Sequence, residues 1–465
     1  MTAYHAKTAR RPAAWGALVL LAGLALGAAG CGEVLDVENP NNVPGEALLE
    51  PAAMEPVTNG ALYTVQEGYA YMLGVYATAA NELNWIGSRD AWFQLELGTP
   101  NDPGNEFTDA AFRVFAPGRW MADEAIGILE AHAQSDVADI RAAAEANLPR
   151  AYLYGAISYV TIADWFDDFA LSNRDTAGAP LGEAGMGQLY PTAIGYLDNA
   201  LAIEGGEGSA LERNLLAYRA RARHSQGVWN LVGVRPIGTI TDPLVSDAQM
   251  AADAAAALAL DGSDWAYMFD YGASTVWSDV GWEVNERLEL RFHGDYIIPT
   301  GDGTVRDTDA ADRGVRLRDP IDGIGDPRLD LIMTEFEAGA RYADLRVVSA
   351  REMYLILAED ALANGTETGA NSFEQYINDL RAMDDTLSAW VSGGAGMPTA
   401  QDLLIHERRV NLYLQGRRLN DLYRFELQGS SWQPTRPAVT DPGTFLPITR
   451  VERDANCHLS QEFEC

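Results

Sequence analysis

Apolar residues recur at helical spacing along most of the chain. The period predicts helices over about 56–83, 118–133, 143–167, 189–203, 210–229, 246–260, 345–365 and 372–387. From 143 onward the helices come in pairs. Each pair is a long helix with large aromatics, a short turn, and a second helix with Ala at close-packing positions, as in 251–257. This texture predicts a mostly α fold of helix–turn–helix repeats of the tetratricopeptide kind, too divergent to align on a fixed period.

The stretch 404–425, LIHERRVNLYLQGRRLNDLYRF, reads as one more helix, with charge beside its own seam. Ile405, Leu412 and Leu419 recur every seven residues, and Arg408, Arg409, Gln415 and Gly416 fall between them. Arg417 or Arg418 can reach Asp421 at three or four residues. A partly buried arginine must be paired or it costs several kcal/mol. Glu407, Arg408, Arg418 and Asp421 are therefore read as a structural ion-pair network that fixes packing, and Gly416 as the point of a close helix crossing.

The helical period disappears over 262–344, which is rich in Gly, Asp and aromatics with short strand-like runs at 288–292 and 296–299. A shorter loop of similar character spans 84–107. Loops this long in a helical protein are more often functional than not. Trp85, Trp92 and Phe93 lie in the first loop. Trp265, Tyr267, Tyr271, Trp277, Trp282 and Tyr296 lie in the second, interleaved with Asp and Asn. Flat apolar faces beside short polar side chains suit sugar recognition. The alternative is that these aromatics are the insertion's own small core. Trp85, Trp92, Trp277, Trp282 and Tyr296 are the candidate ligand-binding residues.

At the N-terminus Lys7, Arg10 and Arg11 precede an apolar run that ends in small residues before Cys31. This is the layout of a signal peptide, and it resembles a bacterial lipobox whose cysteine is lipidated, with Ala28 where Leu is usual. An ordinary secretory signal with a chance cysteine is the alternative. The expected organisation is a signal peptide over 1–30, a lipid-anchored tether over 31–55 and a helical scaffold over 56–261. The loop-rich insertion over 262–344 and a C-terminal helical part over 345–465 follow. Cys457 and Cys465, eight apart in an exported chain, are expected to form a disulfide. A metal site there, with His458, is the weaker alternative.

The net charge of -34 bears on partners. The first thirty residues hold three bases and no acid, so the remainder is more acidic still. Such a surface repels nucleic acid and favours neutral or cationic partners. No lysine follows Lys7, which excludes Schiff-base chemistry and a phosphate-binding lysine in the mature chain. His406-Glu407 starts like a zinc-protease motif, but Val410 stands where the second histidine belongs. Asp307, Asp309 and Asp312 offer hard ligands for calcium, at a spacing unlike an EF-hand. No cofactor is expected, and no catalytic carboxylate pair stands out among so many acids.

These residues together resemble the SusD/RagB family of outer-membrane nutrient-uptake lipoproteins. Its C-terminal signature runs E-R-R-x-E-L-x-x-E-G-x-R-x-x-D-L-x-R, and Glu407, Arg408, Gly416, Arg418, Asp421, Leu422 and Arg424 match it. Asn411 and Gln415 replace two acidic positions. LPRAYLYGAISYVTIADWF, LRVVSAREMYLILAEDAL, YINDLRAM and FLPITRVERDAN resemble further landmarks in the family's order, with Thr449 replacing a proline in the last. The resemblance implies four tetratricopeptide-like hairpins and a lipid anchor at the outer face of the outer membrane. It implies a SusC-like TonB-dependent β-barrel transporter as partner, and capture of oligosaccharide, or peptide in some members, without catalysis. A helical-repeat scaffold for envelope assembly and a lipid-anchored glycan hydrolase are the competing functions.

Overall fold

The structure, a computed structural model, describes residues 45–460 and Cys465. The expected signal peptide, Cys31 and most of the expected tether lie outside the described residues. The first helices are α1 (Met54–Ala79), α2 (Asp90–Glu96), α3 (Glu106–Ala133), α4 (Ala138–Trp165), α5 (Leu189–Glu204), α6 (Ala210–Val232) and α7 (Ala248–Leu260), with a short strand β1 (Leu83–Trp85) after α1. Then come β2 (Ala266–Phe269), α8 (Asp279–Asn285), β3 (Leu290–Phe292), α9 (Pro327–Gly339) and β4 (Leu345–Ser349). The chain continues with α10 (Ala350–Ala363), α11 (Phe373–Arg381), α12 (Ala400–Asn411) and α13 (Arg418–Arg424). Residues from Met54 to Cys465 form one compact unit, so the segment 262–344 is not a body of its own.

Four helix pairs make the scaffold: α1 with α3, α4 with α5, α6 with α7, and α10 with α11. Neighbouring pairs also pack, α3 on α4, α5 on α6 and α7 on α10, so each hairpin buries the face its own partner leaves open. Local sequence starts these helices sharply. The side chains of Asn105, Ser209, Asp247, Ser278, Ser349, Ser372 and Thr399 accept hydrogen bonds from the first-turn amides of α3, α6, α7, α8, α10, α11 and α12. Gly68 lets α1 meet α3 at backbone distance; a Cβ there would stand 2.6 Å from the Phe115 Cα. The core between α1, α3 and α4 is aromatic. Trp165 packs on Tyr69 and Tyr76 at ring distances of 5.1 and 5.0 Å.

The strands make two small antiparallel ribbons. β1 pairs with β3, Asn84 opposite Arg291, and β2 pairs with β4 with a register shift between Tyr267 and Met268. Both ribbons tie the 262–344 segment to the scaffold.

Three helix predictions are corrected. The stretch 345–365 is not one helix: Leu345–Ser349 is strand β4, and Ser349 then caps α10. The β-branched Val347 and Val348 sit opposite β2, which supplies the pairing that the helical period did not foresee. The helix predicted from 118 starts at Glu106 and continues through Pro117. The stretch 404–425 is broken. α12 ends at Asn411, a turn follows with Leu414 and Gly416 in the left-handed region (φ 54° and 69°), and α13 begins at Arg418. Gly416 does not serve a helix crossing. A Cβ at that position would overlap the Trp165 ring, whose Nε1 donates to the Gly416 carbonyl at 3.1 Å.

Candidate functional site

The predicted ligand aromatics divide into two groups. Trp92 is 2% exposed and stacks on Phe107 at 4.0 Å. Tyr296 is 1% exposed, packs on Tyr413 at 4.7 Å and lies under the Arg409 guanidinium. Both are core residues with no face to offer a ligand. Trp265, Tyr271 and Trp432 are buried too. Trp85, Trp277 and Trp282 keep part of their surface open.

Trp277 and Trp282 come together. Ser278 caps α8 and brings the two indoles into a stack 5.1 Å apart, with planes 27° from parallel. The Arg287 guanidinium lies over the Trp282 ring at 4.9 Å and pairs with Glu283 at 2.7 Å. α8 packs against α1, and there three residues outside the two aromatic-rich loops join the pair. Tyr63, Glu67 and Tyr71 repeat every four positions on one face of α1. Tyr63 is 43% exposed, and Glu67 and Tyr71 are partly so. The Trp277 indole is within hydrogen-bonding reach of the Tyr71 hydroxyl. The signal was available in the spacing: Tyr63, Glu67 and Tyr71 recur every four residues along α1. The result is a platform of two tryptophans and two tyrosines edged by Glu67, Asp279 and Glu283.

Its carboxyls are unusual. Burial pushes Asp279 up to about 8, nearby Glu283 adds to the effect, and Arg287 offsets part of it. Burial also raises Glu283 against the pull of Arg287, and raises Glu67 against its bond to Tyr63. A carboxyl that has left water without a full complement of partners holds its proton more tightly.

A second aromatic pair, Trp85 and Phe93 at 5.2 Å, lies on the neighbouring loop. Glu289, which follows α8, binds that loop. Its carboxylate accepts from the Ser88 and Arg89 amides at 2.9 and 3.0 Å and from the Ser88 hydroxyl at 2.9 Å. A cleft of about 250 Å³ adjoins the C-terminal end of α8, lined by Asn285, Arg291, Thr304 and Val305 among others. A larger cleft of about 410 Å³, between the β2–β4 ribbon and α9, holds no tryptophan.

The charged residues of 404–425 face inward. Arg408 binds Asp421 at 3.0 Å, and Arg424 binds Asp421 at 2.9 Å and also Glu359. His224 Nε2 lies 2.9 Å from Glu359. Burial alone would raise Glu359, but Arg424 foremost among its neighbours holds it well below the usual carboxylate range. Glu407, on the same helix as Arg408, binds Arg328 and Arg381. Arg417 binds Asp164 and Ser225, whereas Arg418 makes no ion pair among the described residues. None of these residues borders the aromatic platform.

At three possible metal sites the ligand groups are engaged with other partners. Asp319, Asp326 and His406 offer ligand atoms within 4.8 Å of one another, but Arg328 and Arg381 already fill that space with positive charge. Asp312 is committed to Arg318 at 3.0 Å. The Cys457 and Cys465 sulfurs are bonded to each other.

Residues 336–461 match the sequence pattern of the SusD family. No curated protein gives a significant match. Among solved structures, a SusD superfamily protein from Bacteroides thetaiotaomicron superposes with a TM-score of 0.60 at 14% identity, covering 89% of this chain and 100% of its own. A SusD superfamily protein from Parabacteroides distasonis superposes with a TM-score of 0.60 at 11% identity, over 89% and 99%. A structure solved with xylogluco-oligosaccharide gives 0.54 at 14%, over 80% and 83%. Residues 336–461 thus carry the SusD family's sequence pattern, and over most of its length the chain has the fold of these SusD superfamily structures.

Proposed function

We propose that the protein captures an oligosaccharide on the Trp277–Trp282 platform and passes it to a TonB-dependent β-barrel transporter, without chemical change to the ligand. The stacked, partly exposed indole pair beside carboxyls carries the reading. Indole faces pack against the CH faces of a sugar ring while carboxyls and the Tyr63 and Tyr71 hydroxyls bond to its hydroxyls. The presence of xylogluco-oligosaccharide on a protein of similar fold supports an oligosaccharide as the ligand class. Trp85 and Phe93 extend the apolar surface on the neighbouring loop. The reading includes a lipid anchor through Cys31 at the outer-membrane surface. No helix among the described residues is long and apolar enough to cross a membrane.

The test is a titration of the full chain in detergent, following tryptophan fluorescence, against neutral oligosaccharides, acidic oligosaccharides and mixed peptides. Saturable binding of one oligosaccharide class with the ligand recovered intact supports capture. Trp277→Ala and Trp282→Ala should each weaken binding about tenfold or more while the thermal midpoint stays close to that of the parent. Hydrolysis of the ligand, or binding untouched by both substitutions, refutes the assignment. Recovery of the β-barrel in pull-downs from membranes tests the delivery step.

A further inference from the structure

We propose that this platform selects a positively charged ligand, an oligosaccharide bearing free amines, over its neutral counterpart. The inference rests on the capture reading and adds the ligand's charge to it. Three carboxyls, Glu67, Asp279 and Glu283, meet at the platform, all close enough to Tyr71 to act on its hydroxyl. The base in contact with them is Arg287, whose guanidinium is already engaged with Glu283 and Trp282, and Arg89 acts on Glu283 from further off. Among the described residues neither Glu67 nor Asp279 has an ion pair. The other bases nearby are committed elsewhere, Arg89 to Glu106 and Arg341 to Glu286. Glu289 is satisfied by the loop amides it binds.

One atom shows the missing partner directly. Glu283 is 3% exposed, and its Oε2 is buried with no hydrogen-bond partner. An orphaned buried carboxylate oxygen costs free energy that a donor entering the site would recover. An ammonium group answers both halves of the surface: it donates to carboxylates, and the ring faces of tryptophan and tyrosine attract it. Near neutral pH the raised carboxyls hold protons that a bound cation would have to displace, which works against its binding; the geometry, not the titration, carries the inference. The overall charge of -34 favours the cation from longer range.

The experiment compares glucosamine oligomers with N-acetylglucosamine oligomers of the same length, matched in sugar and differing in charge. The full chain in detergent is titrated with each at low and high salt. The charged oligomer should bind about tenfold tighter or more at low salt, and the advantage should shrink as salt is added. It should vanish in Glu67→Gln combined with Asp279→Asn. Glu67→Gln alone, on the exposed face of α1, should halve the advantage or better even if Asp279→Asn disturbs the start of α8. Parity between the oligomers overturns the inference. So does a preference that survives both substitutions, because it then belongs to the protein's overall charge. If another neutral oligosaccharide binds and quenches the tryptophans while glucosamine oligomers do not bind, capture stands and the charge inference fails. If no oligosaccharide binds, both fail.

Discussion

Replacing Gly416 by alanine adds a single methyl group at the turn between α12 and α13. Two costs follow from the structure. The first is conformational: at φ 69° an L-residue is about 1–2 kcal/mol less favourable than glycine. The second is steric. The new Cβ overlaps the Trp165 ring, which is 1% exposed and cannot swing into solvent. Moving it disturbs its contacts with Tyr69 and Tyr76 and the bond from its Nε1 to the Gly416 carbonyl. Overpacking of this kind costs about 1–3 kcal/mol, so the sum is about 2–5 kcal/mol, a large share of a typical folding free energy. The assay is denaturant unfolding of the full chain, read as a shift in midpoint at unchanged slope. Gly60→Ala is the matched control. It sits inside α1, nothing lies within 4 Å of the position its Cβ would take, and alanine there should stabilise by about 0.5–1 kcal/mol. A loss below about 1 kcal/mol at Gly416, or the same sign in both variants, would refute the argument.

Glu359→Gln should destabilise by about 3–5 kcal/mol, since it leaves Arg408 and Arg424 facing Asp421 alone in a buried site; an unchanged unfolding midpoint would show that the cluster does not hold the fold. Stability should also depend on pH in two directions. Asp279 and Glu82 are both pushed up to about 8 by burial, so the fold keeps protons that the unfolded chain releases, and the thermal midpoint should rise as pH falls from about 8 to about 5. Glu359 and Asp421 are held below the usual range by their arginines. Their contribution is therefore present above the unfolded carboxylate pKa and is lost as pH falls below about 4. Glu82→Gln should flatten the alkaline limb and leave the acid limb intact; an alkaline limb of unchanged slope would remove Glu82 from the account.

The helices of the scaffold were legible because each buries a continuous apolar face, which is what a 3.6-residue period encodes. Strand β4 was not, because LRVVS has no polar alternation to set it apart from the helix it precedes. Its state depends on β2, some eighty residues earlier. The break at 412–417 left one local mark, Gly416, and a glycine marks a turn and a close helix contact equally well. At the site, Trp277 and Trp282 could be singled out by composition, but Trp92 and Tyr296 share that composition and are core. Exposure is decided by Phe107, Tyr413 and Arg409, partners that no local window contains. Glu67 and Tyr71 could have been found from their spacing on α1; their meeting with α8 could not.

The turn that Gly416 shapes also bears on the order in which the chain can be completed. It closes contacts that reach far back. Leu414 N donates to Glu82, Arg417 binds Asp164, the Trp165 indole finds the Gly416 carbonyl, and the Tyr76 hydroxyl finds Asn420. These pairs are separated by 332, 253, 251 and 344 residues. Until 412–421 arrives, the Trp165 indole N–H, the Tyr76 phenol and the Glu82 carboxyl just after α1 lack these partners, and Asp164 has Tyr190 and Ser225 but no arginine. The N-terminal repeats therefore cannot settle repeat by repeat as a simple solenoid does. They wait, loosely assembled, for the end of the chain, and a protein cut short before residue 412 would be left with a polar interior open to proteolysis.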